Sequence, residues 1–289
     1  MNSLKNKKKI INMKKTKTLA FISMLGIAGT FASCSASSDE LGKPEKKETG
    51  TLFLNLKETT SFTDATRALS ENDYKNTDNY NVQILDTKGN IKVEGLASEL
   101  RFPMTLDLGS YNIVASYGNE SAVSRNDFYV YGISAVNITA DKSVTAEITC
   151  TPTCGKISVA FSSDMATYFT DYNVSFGGTS ALSGSTFNWS KTDSEPWYAK
   201  LNEDGETITF TISTTTNDNY GSDYDDDGNA VKTETKTGSF KLQRNKAYKL
   251  NIKPNAVDSQ TTGAIKLEIT IDETTNDIEK NIEVPISWI

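Results

Sequence analysis

The sequence predicts an all-β protein, two tandem antiparallel β-sandwiches behind a cleaved N-terminal export signal. Three observations carry this. From Gly50 onward apolar residues recur at every second position, as in Leu52, Leu54 and Leu56, which is the period of a strand with one buried face. Turn residues punctuate these runs, and no window of helical length shows a 3.6-residue period. The opening alternation returns at Ile157–Phe161, just after Gly155, which divides the chain into units of ordinary domain size, residues 50–152 and 153–289.

Residues 1–12 read as an extension upstream of the true start, because Met13 begins a complete signal by itself. Residues 13–34 have a basic start (Lys14, Lys15, Lys17), an apolar run from Leu19 to Phe31, and small residues up to Cys34. This is the layout of a secretory signal, with a run too short to span a bilayer comfortably. Phe31-Ala32-Ser33-Cys34 resembles the lipobox of bacterial lipoproteins, which implies cleavage before Cys34 and a lipid on its thiol. The competing reading, an uncleaved interfacial helix with an incidental cysteine, fits the charge, length and cysteine position less well. Residues 34–49 are small, polar and charged and read as a lipidated tether. Ser35 resembles an outer-membrane sorting address, and Asp39-Glu40 is similar to the surface-export signal of Bacteroidales lipoproteins. The location implied is the outer membrane, lipid-anchored and facing the exterior.

Residues 1–33 hold seven lysines and no acid, so of 30 basic residues 23 remain after cleavage, against 37 acids, a net charge of −14. Such a surface repels nucleic acid and anionic head groups, which leaves outer-membrane lipid held through Cys34, protein subunits or glycans as partners. A diacylated cysteine anchors such a chain stably. The chain has no histidine, which removes Ser-His-Asp and Cys-His catalysis and every His-containing metal site. No motif supplies a nucleophile or acid at a recognisable spacing, so the chain reads as a non-enzyme that requires no cofactor.

Further strands follow at Tyr80–Ile84, Ile91–Val93, Tyr111–Ala115, Ala135–Thr139 and Val144–Thr149, with a turn at Lys88-Gly89-Asn90. In the second half Thr207–Ser213, Ser239–Leu242 and the series Ile265, Leu267, Ile269, Ile271 alternate in the same way. Leu106–Ala115 combines a leucine, a glycine turn and Tyr-x-Ile-x-Ala, where the glycine supplies positive φ and Tyr111 starts the inward face. The segment resembles the corresponding strand of transthyretin-like sandwiches, which with Ig-like ones define the expected fold. Leu242–Ile252 echoes it with one extra residue in the turn.

Taken together, the lipobox, Gly50-Thr-Leu-Phe-Leu, Ala65-Thr-Arg-Ala68, Leu-x-x-Gly-x-Tyr, Phe128-Tyr-Val-Tyr-Gly132, the strand into Cys150 and Val284-Pro285 resemble a Bacteroidales surface lipoprotein family known only as a domain of unknown function. More distantly they are similar to fimbrillin-like proteins. The resemblance implies adhesion or fimbria-like assembly, or glycan binding in a polysaccharide-use system. A row of exposed aromatics would favour glycans, and a removable first strand would favour assembly. In fimbrial shaft proteins of this kind a cut at an arginine placed like Arg67 frees the first strand for strand addition from another subunit. The other reading of Arg67 is an ordinary polar loop residue.

Three further groups have two readings each. Asp223, Asp225, Asp227 and Glu234 around Gly228 match the calcium-loop template D-x-D-x-D-G-x5-E, but strands flank them in place of helices. They are either a weak Ca2+ site or an acidic hairpin tip that discourages edge pairing. Cys150 and Cys154 bracket Thr-Pro-Thr. An exported chain permits a disulfide there if the segment turns, and an extended segment keeps the sulfurs apart. Trp189, Trp197 and Tyr198 either cover the second core or stack on sugars, and Trp288 reads as a core plug.

Overall fold

The structure is a computed structural model and describes residues 47–62, 71–217, 223–224, 230–231, 233–255, 266–275 and 278–283. The fold is all-β, two β-sandwiches in tandem, and the only described α-helix is the four-residue turn Met165–Tyr168.

The first sandwich is built from β1 (Thr49–Glu58), β2 (Asn81–Asp86), β3 (Ile91–Leu96), β4 (Met104–Asp107), β5 (Gly109–Tyr117), β6 (Val123–Ser124), β7 (Val130–Ile138) and β8 (Ser143–Pro152). Seven of them form one sheet in the order β3-β2-β5-β7-β8-β1-β4. The sheet folds over between β7 and β8, where the ladder is only Val130↔Pro152 and Tyr131↔Thr151. Gly132 marks the close approach there: a Cβ on it would lie 2.7 Å from the Thr149 carbonyl oxygen. The two leaves then share one core. Leu52, Ala146 and Ile148 from one leaf meet Val82, Ile84, Ile113, Ala115 and Ile138 from the other. These are the alternate residues of the period-two runs, and burying them drives the packing. Gly109 has φ 143°, as its place in the turn requires, and Tyr111 begins the buried face of β5.

The second sandwich comprises β9 (Cys154–Phe161), β10 (Phe169–Gly177), β11 (Phe187–Ser190), β12 (Trp197–Lys200), β13 (Glu206–Thr216), β14 (Asp223–Tyr224), β15 (Ala230–Val231), β16 (Thr233–Leu242), β17 (Ala247–Asn255), β18 (Lys266–Thr275) and β19 (Ile278–Glu283). One leaf runs β11-β10-β13-β16, the other β19-β18-β17-β9-β12-β6, and β14 pairs with β15. Its core joins Val174, Phe176, Phe210 and Ile212 to Ile157, Leu250, Ile269 and Ile271.

The two sandwiches have one topology. The leaf β3-β2-β5-β7 corresponds to β11-β10-β13-β16, and β4-β1-β8 corresponds to β12-β9-β17, in the same chain order. The second copy adds β14–β15 before β16 and β18–β19 after β17. The repeat read from sequence therefore exists, with one correction. The segment Leu242–Ile252 runs into β17, whose counterpart is β8, not the β5 strand that it echoes. Both carry a glycine- or asparagine-bearing turn before an alternating strand, and that local form recurs wherever a strand is entered from a tight turn.

Candidate functional site

Strand β1 is the element on which assembly readings turn. It lies between β4, antiparallel from Thr49↔Asp107 to Leu52↔Met104, and β8, parallel from Thr51↔Ser143 to Glu58↔Cys150. Leu52 is fully buried, Leu54 and Leu56 pack on the same core, and Asn55 donates to Glu147 at 2.6 Å. Beyond β1 the Thr59 amide donates to the Cys150 carbonyl at 3.1 Å. The Ser61 amide then donates to Asn245 Oδ1 at 2.8 Å, Ser61 Oγ donates to the Asn245 carbonyl, and Asn245 Nδ2 donates to the Thr59 carbonyl. Asn245 occupies the turn before β17 with φ 57°, a left-handed conformation that asparagine tolerates better than most residues. Its own amide donates to the Cys154 carbonyl at 2.8 Å. One side chain thus ties the end of β1 to the second sandwich.

Phe62 follows and is wholly buried. It meets Phe128 edge-on, with ring centroids 5.3 Å apart, and Tyr198 of β12 at 5.6 Å. The Lys156 ammonium lies 6.0 Å from its ring centroid. Phe128 also stacks on Tyr74 at 3.8 Å and Tyr198 at 4.8 Å, so an aromatic column runs from the first sandwich into the second.

A second joint comes from β6, a piece of the first sandwich that forms the outer strand of a leaf of the second, with Ser124 opposite Tyr198 and Val123 opposite Ala199. Arg125 follows it. Its guanidinium lies 4.3 Å from the Trp197 ring centroid and 5.2 Å from that of Trp189. It pairs with Asp193 at 2.9 Å and donates to the Asn188 carbonyl at 3.2 Å. Burial pushes the Asp193 carboxyl up, but hydrogen bonds from the Ser190 amide and Arg125 outweigh it and hold the group below the usual carboxylate range.

Tyr131 and Ile133 lie on the outward face of β7, with Tyr129 just before the strand. Tyr129 and Tyr131 are half-buried, with centroids 6.1 Å apart and planes at 30°. Ile133, next on that face, is 52% exposed.

Of the residues singled out in the sequence, Cys34, Arg67, Asp225, Asp227 and Trp288 lie outside the described residues, and so does the connection 225–229 between β14 and β15. Asp223 is on β14, opposite Val231. Glu234 is on β16, where its carboxylate is 3.8 Å from Lys236. Among the described residues no group of three or more Cys, Asp or Glu is placed to hold a metal ion, and no helix is long and apolar enough to cross a membrane. Cys150 and Cys154 are buried, separate thiols. Thr151 and Pro152 complete β8, and only Thr153 separates them from β9, which begins at Cys154. Burial pushes the Cys150 thiol up to about 12, which makes it a poor nucleophile. Trp189 and Tyr198 are 1% and 2% exposed, so they are core, and Trp197 packs against that core while its indole donates to the Asn188 carbonyl at 3.0 Å.

Sequence reasoning missed Ser61, Phe62, Arg125 and Asn245. Asparagine in a turn before a strand signals a left-handed residue, but nothing local names its partner 184 positions away. Phe62 stands outside any alternating run, so periodicity passes over it.

The model of a family described as a domain of unknown function, DUF4493, matches residues 48–286. No curated protein matches the sequence. Among solved structures the chain is similar to a candidate cell-adhesion protein of Bacteroides eggerthii, at 12% identity and TM-score 0.45 over 81% of this chain and 98% of that one. It is similar to a fimbrial assembly protein of Parabacteroides distasonis, at 10% identity and TM-score 0.42 over 81% and 97%. It is also similar to a candidate polysaccharide-binding protein of Bacteroides thetaiotaomicron, at 14% identity and TM-score 0.41 over 81% and 98%.

Proposed function

We propose that this chain, which belongs to the DUF4493 family, is a non-catalytic surface lipoprotein that acts in adhesion or fimbria-like assembly as a subunit that keeps its own first strand. In this reading Cys34 carries the lipid, the tether ends near residue 49, and residues 50–152 and 153–289 form the two sandwiches at the exterior of the outer membrane. The observation that carries it is the joint at Thr59–Phe62. To give up β1, the chain would lose its ladders with β4 and β8, the bond from Asn245 Nδ2 to the Thr59 carbonyl, the bond from the Ser61 amide to Asn245 Oδ1, and the buried Phe62. A subunit built this way suits a terminal or anchoring position, where it meets its partners without surrendering a strand.

The test is a cut at Arg67 by an arginine-specific protease, followed by native gel filtration. Residues up to 67 should co-elute with the remainder and separate only in denaturant. Their release under native conditions would overturn the reading. The anchor is tested apart: Cys34→Ser should leave the protein in the soluble fraction or as an unprocessed precursor, and an intact mass without acyl chains would remove the lipid.

Tyr129 and Tyr131 favour a second reading, glycan binding. Two half-exposed rings, Tyr131 on β7 and Tyr129 just before it, continued by Ile133, offer a platform on which a sugar ring can stack. A glycan array with the wild type and Tyr131→Ala separates the readings, since binding lost in the variant would support the second.

A further inference from the structure

We infer that the chain is built to carry tension along its length, through two shear clamps in series. The inference rests on the proposed attachment at Cys34, which would make residues 46–49 the point where load enters.

Almost every described strand pair is antiparallel. The exceptions are β1 with β8 and β9 with β17. They occupy equivalent places in the two sandwiches, and each joins the first strand of its unit to a strand near that unit's end. The direction of pairing decides how a ladder fails under load. When a parallel pair is pulled at the N-terminus of one strand and the C-terminus of the other, the strands are dragged past one another. All the ladder bonds then stretch together. When neighbouring ends of two paired strands are pulled apart, the bonds break one at a time.

The chain path imposes the first geometry twice. Load entering at Thr49 runs up β1, which is in register with β8 over eight residue pairs, from Thr51↔Ser143 to Glu58↔Cys150. It leaves β8 at its C-terminal end. Only Thr153 then separates Pro152 from Cys154, where β9 begins. That residue is held from both sides, its amide donating to the Tyr129 carbonyl at 2.9 Å and its carbonyl accepting from the Leu201 amide at 3.1 Å. From β9 load passes across six further parallel pairs, Lys156↔Ala247 to Phe161↔Ile252, into β17. Each clamp is braced on its flank, β1 by β4 and β17 by β18. Asn55 and Glu147 add a cross-strand side-chain bond at 2.6 Å within the first clamp.

The experiment is optical-trap unfolding of the full chain through DNA handles on azido side chains in two arrangements. Positions 48 and 151 load β1 and β8 in shear. Positions 48 and 142 pull apart their adjacent N-terminal ends. The two doubly labelled variants share one attachment site, and matching circular dichroism shows that both are folded. The rupture force at 48/151 should be several-fold that at 48/142. Equal forces, or a lower force at 48/151, would overturn the inference. That failure would leave the anchor standing, because the anchor is read from acylation at Cys34. An unacylated Cys34 would remove the natural load without changing the measured forces.

Discussion

Ser61 and Asn245 bind each other through both main chain and side chain, the Ser61 amide donating to Asn245 Oδ1 at 2.8 Å while Ser61 Oγ donates to the Asn245 carbonyl. One residue follows the first strand of the first sandwich, and the other turns the chain into the last parallel strand of the second. The contact makes the end of β1 a part of both units. It is also polar and largely sheltered, Ser61 being buried, so losing either partner leaves groups that water replaces poorly.

Asn245→Gly isolates the side chain, since glycine accepts φ 57° without strain. The side-chain bonds with the Ser61 amide and the Thr59 carbonyl, and a longer one with Ser61 Oγ, are lost, with a cost of about 2 kcal/mol. Ser61→Ala removes the hydroxyl but keeps the amide bond and should cost about 1 kcal/mol. Urea melts read both, and an unchanged midpoint for Asn245→Gly would show that the clasp contributes nothing.

Phe62→Ala empties a fully buried ring site between Phe128 and Tyr198 and should destabilise the chain by about 3–5 kcal/mol. Phe62→Leu refills most of the volume and should recover more than half of that loss. Hydrogen exchange should show faster opening of β1 in the alanine variant than in the strands of the second sandwich. Uniform opening would mean that the residue stabilises the whole body and not the joint.

Arg125→Lys keeps the charge but loses the planar contact with Trp189 and Trp197 and the geometry of the pair with Asp193. A loss of about 1 kcal/mol is expected, with a red shift in tryptophan emission as water reaches the indoles. Arg125→Ala should shift both further. An unchanged emission spectrum in both variants would count against the clamp.

Asp86 sets a pH dependence in the β2–β3 turn. Hydrogen bonds from the Asn90 side chain and amide, with further ones from Lys92 and the Lys88 amide, hold its carboxyl well below the usual carboxylate range. A folded value below the unfolded value of about 3.9 means that its stabilisation is complete above that pH and is lost as pH falls toward the folded value. Amides of Lys88 and Asn90 should therefore lose protection in acid before the β5–β7 ladder does. Asp86→Asn should show weaker protection at neutral pH and less change on acidification. Equal acid sensitivity in wild type and variant would assign the effect to another group.

Alternation made most strands readable because it is local. Leu267, Ile269 and Ile271 point inward whatever lies opposite them, and Gly109 needs its turn before any partner arrives. The glycan reading of Trp189 and Tyr198 was open in sequence because an aromatic near a loop looks the same whether a core or solvent receives it. The joints were not readable, since each is a pairing of distant segments whose local sequence is ordinary: Thr59–Phe62 with Asn245, and Val123–Arg125 with β12.

What the sequence by itself determined is the class of structure and the inward face of most strands, together with a net negative chain lacking histidine. These follow from side-chain period and composition, which need no knowledge of contacts. Which strands become neighbours was decided only in three dimensions. The parallel match of Leu56 with Ile148 and of Leu250 with Val159 depends on how whole leaves close over a core. A strand's alternation reports that one face is buried, yet it is the same for a parallel or an antiparallel neighbour. The physical reason is that ladder direction is set by the path of the intervening chain, and the burial of Phe62 by a cavity that exists only once both sandwiches have met.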